Sequence, residues 1–422
     1  MPEISSVKGT RDFYPKEMAI RNWLVGKVRA VSESFGYQEY EGPYLERLEL
    51  YAAKSGEELV KEQSYVFPDR NGDMLALRPE LTPTLARMIA ARVKSLPTPI
   101  RWWSYGPCWR YEKPQKGRTR EFFQWNIDLL GIESPGVDAE LAAIAASFFR
   151  SVGLSSETVR ILVNSRKLVD RQLAGLGVPA ARRIEIYHLI DRKEKLTATD
   201  WDAYAKEMGV DDDLLHGLKT MLADREAFRN SPDLAAFFDC AQALGVANYL
   251  AYEPTIIRGL DYYTGVVFEA RDASGAHRAI LGGGRYDNLV ADVGGDPLPA
   301  MGFAMGDVVV GLVMEQAGVI PDLRTGPADV LVTNFDADLE QQGLRLANDI
   351  RQAGLKAEWY PESARMGKQL KYADRFNIPV VVIQGPEEVE AGSVTVKEMQ
   401  SGEQQTVPTG QLVEHLQRLL SG

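Results

Sequence analysis

The sequence has few of the residues from which disulfides and metal sites are built. It contains two cysteines, Cys108 and Cys240, and four histidines among 422 residues. Two cysteines cannot form a disulfide framework, and the histidines are scattered without the spacing of metal ligands. We therefore expect neither a structural metal site nor a network of disulfides.

Long apolar runs are also missing. No run approaches the roughly 18 residues that a membrane-spanning helix needs, and the first residues lack the charged and then apolar pattern of a secretory leader. We expect no membrane contact and a cytoplasmic location. A chain of 422 residues is too long for one hydrophobic core, so two or three domains are predicted.

Positive charge is scarce in the chain as a whole. Lysine and arginine together number 48 against 59 aspartate and glutamate residues, which gives a formal net charge of -11. Proteins that coat nucleic acid non-specifically place many cations against the phosphates. Any contact with nucleic acid must therefore come from local basic patches.

The common glycine-rich phosphate loops are absent. The sequence has no G-x-x-x-x-G-K-[ST] run and no G-x-G-x-x-G run after a predicted strand. A phosphate ligand would therefore have to be held by side chains. Arginine suits this task because its planar guanidinium grips phosphate in a two-pronged manner and keeps its charge.

One basic patch stands out at 101–121, where six lysines and arginines occur with two acidic residues. The following run alternates, so that Phe122, Gln124, Asn126 and Asp128 would share one face of a strand. A polar strand face beside a basic loop is typical of a ligand-binding strand. The alternative is an amphipathic strand with a solvated face and a charged hairpin.

The order of the predicted elements indicates an α+β fold. The dipeptide Asn71-Gly72 is a strong turn signal and predicts a hairpin between strands at 64–69 and 73–80. Strands at 99–110 and 121–130 are expected to form the next pair.

Beyond these strands the pattern changes twice. Residues 165–250 are helical and charged, strand signals return at 256–270 and 278–282, and a linker rich in proline and glycine follows at 321–327. The last 95 or so residues alternate strands and helices, which predicts a small α/β domain. Its predicted strands are 328–332, 355–359, 379–383 and 393–397, and its predicted helices include one over 364–376.

Four ordered segments resemble those of the histidyl-tRNA synthetase family of class II aminoacyl-tRNA synthetases. They are KGTRDFYP at 8–15, RYEKPQKGR at 110–118, RGLDYY at 258–263, and LGGGRYDN at 281–288 followed by PAMGFAMG at 299–306. The resemblance covers essentially the whole chain. It implies a class II antiparallel-sheet catalytic domain at 1–164 and 251–320, a helical insertion at 165–250, and an α/β anticodon-binding domain at 326–422.

The resemblance also implies substrates and partners. The substrates would be L-histidine, tRNA(His) and ATP, with Mg²⁺ on the ATP oxygens and no tightly bound protein metal. A homodimer is expected through the family's first motif, which corresponds to 41–50. Gly282, Gly283 and Gly284 would form the floor beneath the adenylate, and the other explanation for them is a tight strand with a bulge.

Site residues follow from the resemblance position by position. Arg110 and Arg258 would be catalytic and contact the α-phosphate of ATP. Glu80 and Thr82 would hold the ammonium group of histidine, Gln124 its carboxylate side, and Asp128 with Tyr263 its imidazole. The histidine-binding set is Glu80, Leu81, Thr82, Arg110, Gln124, Asp128, Arg258, Tyr262, Tyr263 and Tyr286. The ATP-binding set is Arg110, Glu112, Arg118, Arg120 and Phe122, and the tRNA-binding set is Gln115, Lys116, Gly117, Lys368, Lys371 and Arg375.

The chain departs from the family pattern at three positions. Family members usually carry glutamate where Asp128 stands, glycine where Leu81 stands, and the arginine of the third class II motif where Val309 stands. The last departure removes one ATP contact, and the candidates to replace it are Arg118, Arg120 and Arg285.

The missing arginine leaves two other functions open. One is a histidine-sensing regulatory subunit, and the other is a sensor of uncharged tRNA without chemistry. The ligase is favoured because the chain keeps both the C-terminal domain and the QKGR loop.

Overall fold

The computed structural model describes residues 4–52, 63–258, 262–323 and 325–421. Three residues of the RGLDYY segment, 259–261, lie outside the described residues. The chain divides into two compact units, one of residues 1–12 and 21–320 and the other of residues 13–20 and 321–422. The division after Ile320 coincides with the predicted linker.

Eleven strands are described before this division. They are β1 Gln38–Glu39, β2 Leu45–Arg47, β3 Tyr65–Pro68, β4 Met74–Leu77, β5 Ile100–Trp109, β6 Glu121–Leu130, β7 Val159–Ser165, β8 Leu250–Tyr252, β9 Val266–Asp272, β10 Leu281–Arg285 and β11 Ala300–Gly306.

Eight of these strands form one large sheet in the order β1-β5-β6-β11-β10-β9-β7-β8. Within this order, neighbouring strands from β5 through β6, β11, β10 and β9 to β7 pair antiparallel. At the two edges, β1 pairs parallel with β5 and β8 pairs parallel with β7. A separate antiparallel sheet has the order β2-β4-β3. Both predicted strand pairs are confirmed, and Gly72 adopts the positive φ that the hairpin turn requires.

Eleven α-helices are described before the division after Ile320. In chain order they are α1 Pro15–Ser34, α2 Leu48–Ala52, α3 Thr82–Ala90, α4 Pro135–Ser151, α5 Arg166–Gly175, α6 Arg183–Asp191, α7 Ala198–Glu207, α8 Asp212–Ala223, α9 Pro232–Ala243, α10 Leu289–Asp292 and α11 Asp307–Gln316. None of the helices in the described ranges is both long and apolar enough to cross a bilayer.

The two faces of β6 have different environments, as the alternating pattern predicts. Trp125, Ile127 and Leu129 lie in the main hydrophobic core, where the Trp125 ring contacts Phe148 of α4 and Phe303 of β11. Because this face is buried, a one-residue slip would move three large apolar side chains out of the core. The opposite face, with Gln124, Asn126 and Asp128, is therefore fixed toward the other side of the sheet.

The predicted helical segment at 165–250 packs in two parts. The helices α5 to α8 have a hydrophobic core of their own, with Leu173, Ile186 and Leu218 at its centre. In contrast, Leu234 and Phe237 of α9 belong to the main core beneath the large sheet. A separate insertion domain with the predicted boundaries stays a proposal, because α9 packs into the main core and not with α5 to α8.

The second unit contains a five-stranded sheet in the order β13-β12-β14-β15-β16. The first three strands pair parallel and the last two antiparallel, so the predicted βαβ alternation holds only for the first part. The strands are β12 Val330–Val332, β13 Ala357–Trp359, β14 Val380–Ile383, β15 Ser393–Glu398 and β16 Gln404–Pro408, and the helices are α12 Glu340–Gln352, α13 Met366–Arg375, α14 Pro386–Glu390 and α15 Leu412–Leu420.

Helix α13 is amphipathic. Ala373 is buried against the sheet, while Lys368, Lys371 and Arg375 are exposed. Their spacing of three and four residues places the three cations on one face of the helix. Lys368 also forms an exposed ion pair with Glu362, so one of the three cations on this face is paired with a carboxylate.

Candidate active site

Two adjoining cavities open along the polar face of β6. The first cavity, of about 200 Å³, is lined by residues of β6, β10, β11 and the start of α3. The second cavity, of about 270 Å³, is lined by the 110–119 loop and the start of α11. Arg110 and Arg258 line both cavities. The wall that the two cavities share therefore carries two guanidinium groups.

The start of α3 supplies the acidic end of the first cavity. Glu80 and Thr82 line it, and the hydroxyl of Tyr262 donates to Glu80 Oε2 over 3.4 Å. Just upstream, the buried Arg78 donates to Glu41 over 2.7 Å and to the Pro107 carbonyl over 2.8 Å. These bonds fix the segment before α3, and with it the position of the Glu80 carboxylate.

Three tyrosines form an aromatic wall of the same cavity. Tyr262, Tyr263 and Tyr286 line it and also belong to a hydrophobic cluster beneath it. The Tyr262 ring lies 5.0 Å from that of Tyr263 and 6.1 Å from that of Tyr286. The tyrosines therefore serve both as core residues and as cavity walls.

Two buried polar groups of β6 lie at or next to the first cavity. Asn126 lines the cavity, whereas Asp128 lies behind two of its lining residues, Tyr286 and Gly302. Tyr286 donates its hydroxyl hydrogen to Asp128 Oδ1 over 2.5 Å, while Asp128 Oδ2 and Asn126 Oδ1 have no hydrogen-bond partner among the described residues. Both side chains are only 2% exposed. Burial raises the pKa of Asp128 to about 7, although the Tyr286 hydrogen bond acts in the opposite direction. Unpaired buried acceptors are costly, so both atoms are suited to a ligand that donates hydrogen bonds.

Gly302 makes room for this carboxylate. It lies directly opposite Asp128 in the pairing of β11 with β6. A Cβ atom at Gly302 would approach Asp128 Oδ1 to 1.9 Å, which is impossible without displacing one of them. The glycine is therefore required by the position of Asp128.

Arg258 is held in an unusual backbone conformation. Its φ of 62° lies in the left-handed region that residues other than glycine rarely adopt. Its carbonyl oxygen accepts a hydrogen bond of 2.8 Å from Arg166, and its guanidinium pairs with Glu269. A Cβ at Gly282, opposite Glu269 in the sheet, would approach Arg258 Cζ to 2.2 Å. Gly282 thus leaves room for the Arg258 guanidinium over β10. That the glycines form the floor beneath the adenylate stays a prediction.

Arginines dominate the second cavity. The cationic lining residues are Arg110, Arg118, Arg258 and Arg278. Arg110 Nε donates to the Pro79 carbonyl over 3.0 Å, and its guanidinium carbon lies 5.4 Å from the centroid of the Phe122 ring. Arg118 pairs with Glu112. The cavity therefore offers several fixed cations and is suited to a polyanion.

The helix at the wall of this cavity contributes no cation. Val309 of α11 lines the cavity and would lie 3.7 Å from a Cβ at Gly117, a loop residue with a φ of 78°. Asp307, at the start of α11, accepts hydrogen bonds from Arg11 over 2.8 Å and from the Phe123 N–H over 2.9 Å. The Asp307 carboxylate is therefore occupied by hydrogen bonds to the N-terminal segment and to the backbone of β6.

Comparison with known proteins decides the family. Residues 9–307 match the sequence model for histidyl-tRNA synthetase, and residues 329–419 match that for the anticodon binding domain. The chain belongs to the histidyl-tRNA synthetase family. The histidine–tRNA ligase of Haloarcula marismortui is 39% identical over 96% of this chain and 95% of its own. The chloroplastic/mitochondrial histidine–tRNA ligase of Arabidopsis thaliana is 37% identical over 95% of this chain and 84% of its own.

A solved structure agrees with this assignment. The crystal structure of histidyl-tRNA synthetase from Nostoc sp. PCC 7120 superposes with a TM-score of 0.82 at 26% identity, and the match covers 99% of this chain and all of that one. The large antiparallel-rich sheet is therefore the class II synthetase sheet. The named relatives are ligases, which disfavours the regulatory-subunit alternative.

The structure places most predicted substrate-site residues of this synthetase around the two cavities, but four positions differ. Asp128 lines neither cavity, because Tyr286 and Gly302, which it contacts, stand between it and the first one. Leu81 is 1% exposed and does not line the first cavity, because it is buried where α3 begins. Arg120 lines neither cavity, since its guanidinium packs 4.2 Å from the Tyr111 ring centroid and its Nε donates to the Glu112 carbonyl over 3.1 Å. Arg285 is 2% exposed and pairs with Asp138 and Asp287, so it cannot replace the arginine missing at 309.

Among the cavity residues to which the sequence-based analysis gave no role, Asn126 and Arg278 carry polar groups that bear on ligand binding. Alternation placed Asn126 on the polar face of β6 but gave it no role. Arg278 has no local signal, because its closeness to Arg110 and Arg118 arises only when β9 and β10 pair next to β11. Among the described residues, no group of three or more His, Cys, Asp or Glu side chains is arranged to hold a metal ion.

Proposed function

We propose that this synthetase activates L-histidine in the first cavity with ATP held in the second, and then transfers the histidyl group to tRNA(His). The observation that carries the assignment of the cavities is their shared wall, where Arg110 and Arg258 separate a cavity next to two buried acceptors, Asn126 and Asp128, from a cluster of arginines. The carboxylate of an amino acid and the α-phosphate of a nucleotide would meet at this wall.

The first cavity suits histidine in both charge and hydrogen bonding. Its ammonium group needs an anionic partner, and Glu80 with Thr82 provides one at the start of α3. Its imidazole needs separate partners for its two nitrogens. Asp128 Oδ2 would accept from one ring N–H, and Tyr263 would face the ring from the wall. Gln124 lines the same cavity and would hold the carboxylate side.

The second cavity would hold MgATP, with Mg²⁺ carried on the substrate oxygens. The histidine carboxylate attacks the α-phosphate, the bond from the α-phosphate to the bridging oxygen breaks, and pyrophosphate leaves. Arg110 and Arg258 would stabilise the charge that accumulates on the α-phosphate oxygens. Glu112, Arg118 and Phe122 line the remaining space, with Phe122 placed against the Arg110 guanidinium.

The transfer step requires tRNA at the same wall. The terminal ribose hydroxyl would attack the carbonyl of the histidyl-adenylate and release AMP. Gln115 and Lys116 are exposed on the loop that borders the second cavity, and Gly117 lines it, so the loop is placed to guide the end of the tRNA. The exposed cations of α13, Lys368, Lys371 and Arg375, would contact the anticodon end.

The assembly and location complete the proposal. The segment at 41–50, which matches the family's first motif, would form the interface of a homodimer, and the enzyme would act in the cytoplasm. The catalytic domain would comprise 1–164 and 251–320, with a helical insertion at 165–250 and an anticodon-binding domain at 326–422.

Histidine-dependent exchange of pyrophosphate into ATP tests the proposal, together with charging of tRNA(His). Both activities are expected. A regulatory subunit and a tRNA sensor would catalyse neither, so absence of exchange in a folded, histidine-binding protein would overturn the ligase assignment.

A further inference from the structure

The second cavity holds more positive charge than the surrounding carboxylates balance. Of its arginines, Arg258 pairs with Glu269 and Arg118 pairs with Glu112. Arg278 has no carboxylate within ion-pair distance in the part of the chain that the structure describes. Its side chain is exposed at the cavity, where it is free to bind an incoming anion.

The backbone that carries Arg278 is firmly held. Arg278 lies on the turn between β9 and β10, where the Asp272 carboxylate accepts from the N–H groups of Ala276 and His277 over 3.1 and 3.0 Å. The His277 ring is hydrogen-bonded to Gln316 of α11 over 2.8 Å. The turn is therefore tied to the helix that carries Val309, and a cation on it needs little ordering when a ligand binds.

The charge around Arg278 also indicates an absent anion. Partial burial lowers the pKa of Arg278, and the nearby cations Arg118 and Arg110 lower it further, while the carboxylates of Glu112 and Glu269 act in the opposite direction without reversing the shift. Holding these like charges close together costs electrostatic free energy, and a bound anion would offset this repulsion. Surface arginines with no ligand to bind would gain by moving apart or by pairing with carboxylates.

We propose that Arg278 binds the β- and γ-phosphates of ATP and supplies there the positive charge that Val309 cannot supply from α11. The inference rests on the proposed placement of ATP in the second cavity. Arg110 and Arg258 line both cavities, whereas Arg278 lines only the second. The first two are therefore placed for the α-phosphate at the shared wall, and Arg278 is placed for the phosphates beyond it.

Arg278 is a better candidate for this contact than Arg118. The guanidinium of Arg118 is paired with Glu112, so phosphate binding would have to break or share that ion pair. Arg278 has no such competitor among the described residues. Arg118 would then position Glu112 and the loop over the nucleotide, while Arg278 binds the phosphate tail directly.

The test compares Arg278→Gln and Arg278→Lys with the wild-type enzyme in histidine-dependent pyrophosphate exchange. Loss of charge-assisted hydrogen bonds to phosphate should raise the KM for ATP about 10- to 100-fold in Arg278→Gln. The KM for histidine should stay within about twofold, because no contact to the amino acid is removed. Arg278→Lys should recover part of the loss, since it keeps the charge but not the two-pronged geometry.

AMP separates a phosphate-tail contact from a general effect on the cavity, because it lacks the β- and γ-phosphates. Calorimetric titration should show weaker ATP binding by Arg278→Gln but AMP binding within about twofold of wild type. Arg150→Gln is the matched control, since it removes the same charge from an exposed position in the last turn of α4.

Two results would overturn the inference about Arg278. One is an unchanged ATP affinity in Arg278→Gln, and the other is an equal loss of ATP and AMP affinity. Absence of exchange in the wild type would instead refute the ligase assignment, and the calorimetric comparison would still decide the role of Arg278.

Discussion

The buried carboxylate of Asp128 should make the stability of the enzyme depend on pH in a way that Asp128→Asn removes. The pKa of Asp128 is raised from 3.8 to about 7 by burial. Between these values the folded chain keeps a proton that the unfolded chain has lost. Stability from this group is therefore present at low pH and is lost as the pH rises toward 7, and above that it stays constant.

The magnitude follows from the pKa. Each unit of pKa difference corresponds to about 1.36 kcal/mol. Between pH 5.5 and pH 8 the wild type should therefore lose about 2 kcal/mol of unfolding free energy through this one group, since only the 1.5 units up to a pKa of about 7 contribute. Asparagine does not titrate and should not show this loss.

Denaturant unfolding of the ligand-free proteins at pH 5.5 and pH 8 measures the effect. Every other titrating group is common to both proteins, so the difference of the two pH-dependent changes isolates Asp128. A double difference below about 0.5 kcal/mol would refute the assignment of a strongly raised pKa. In the exchange assay, the KM for histidine should fall with rising pH in the wild type as Asp128 ionises. Asp128→Asn should retain only the titration of free histidine.

Three further variants test other parts of the site. Arg258→Ala should lower the rate of pyrophosphate exchange about 10²-fold or more while the KM for histidine changes less, because a transition-state contact is lost. Near-normal exchange would refute its role. Gly302→Ala should destabilise the fold by about 1–3 kcal/mol through overpacking and should weaken histidine binding, because its Cβ would displace the Asp128 carboxylate. Thermal unfolding and the KM for histidine measure both effects, and Gly311→Ala on α11, where a Cβ meets nothing within 4 Å, is the control. Replacing the three exposed basic residues of α13 by glutamine should raise the KM for tRNA and leave exchange unchanged; equal charging would remove this helix from the tRNA interface.

The fold could be predicted largely because its signals are local. The turn at Asn71-Gly72 and the alternation along β6 fix strand pairing without reference to the rest of the chain. The helical segment at 165–250 shows where local signals fail. The pattern predicts that 165–250 is helical, and this range includes α9. The packing of α9 beneath the large sheet, with Phe237 in the main core, is a tertiary contact that no local pattern shows. Likewise, β16 was not predicted, because its own residues are mostly polar and exposed and carry little strand signal.

The site shows the same limit more sharply, because its chemistry depends on which strands are neighbours. Motif resemblance placed Arg110 and Arg258 at the cavities, since those residues carry the family's own signature. It also proposed Arg285, whose buried ion pairs with Asp138 and Asp287 exclude it from any ligand. Arg278 lies only seven residues upstream, and the difference between them is one of strand position. Arg285 is the buried last residue of β10, whereas Arg278 lies on the turn before β10 and lines the arginine-rich cavity. A cation lost from one element, as at Val309, can thus be replaced from a neighbouring turn that no motif spans.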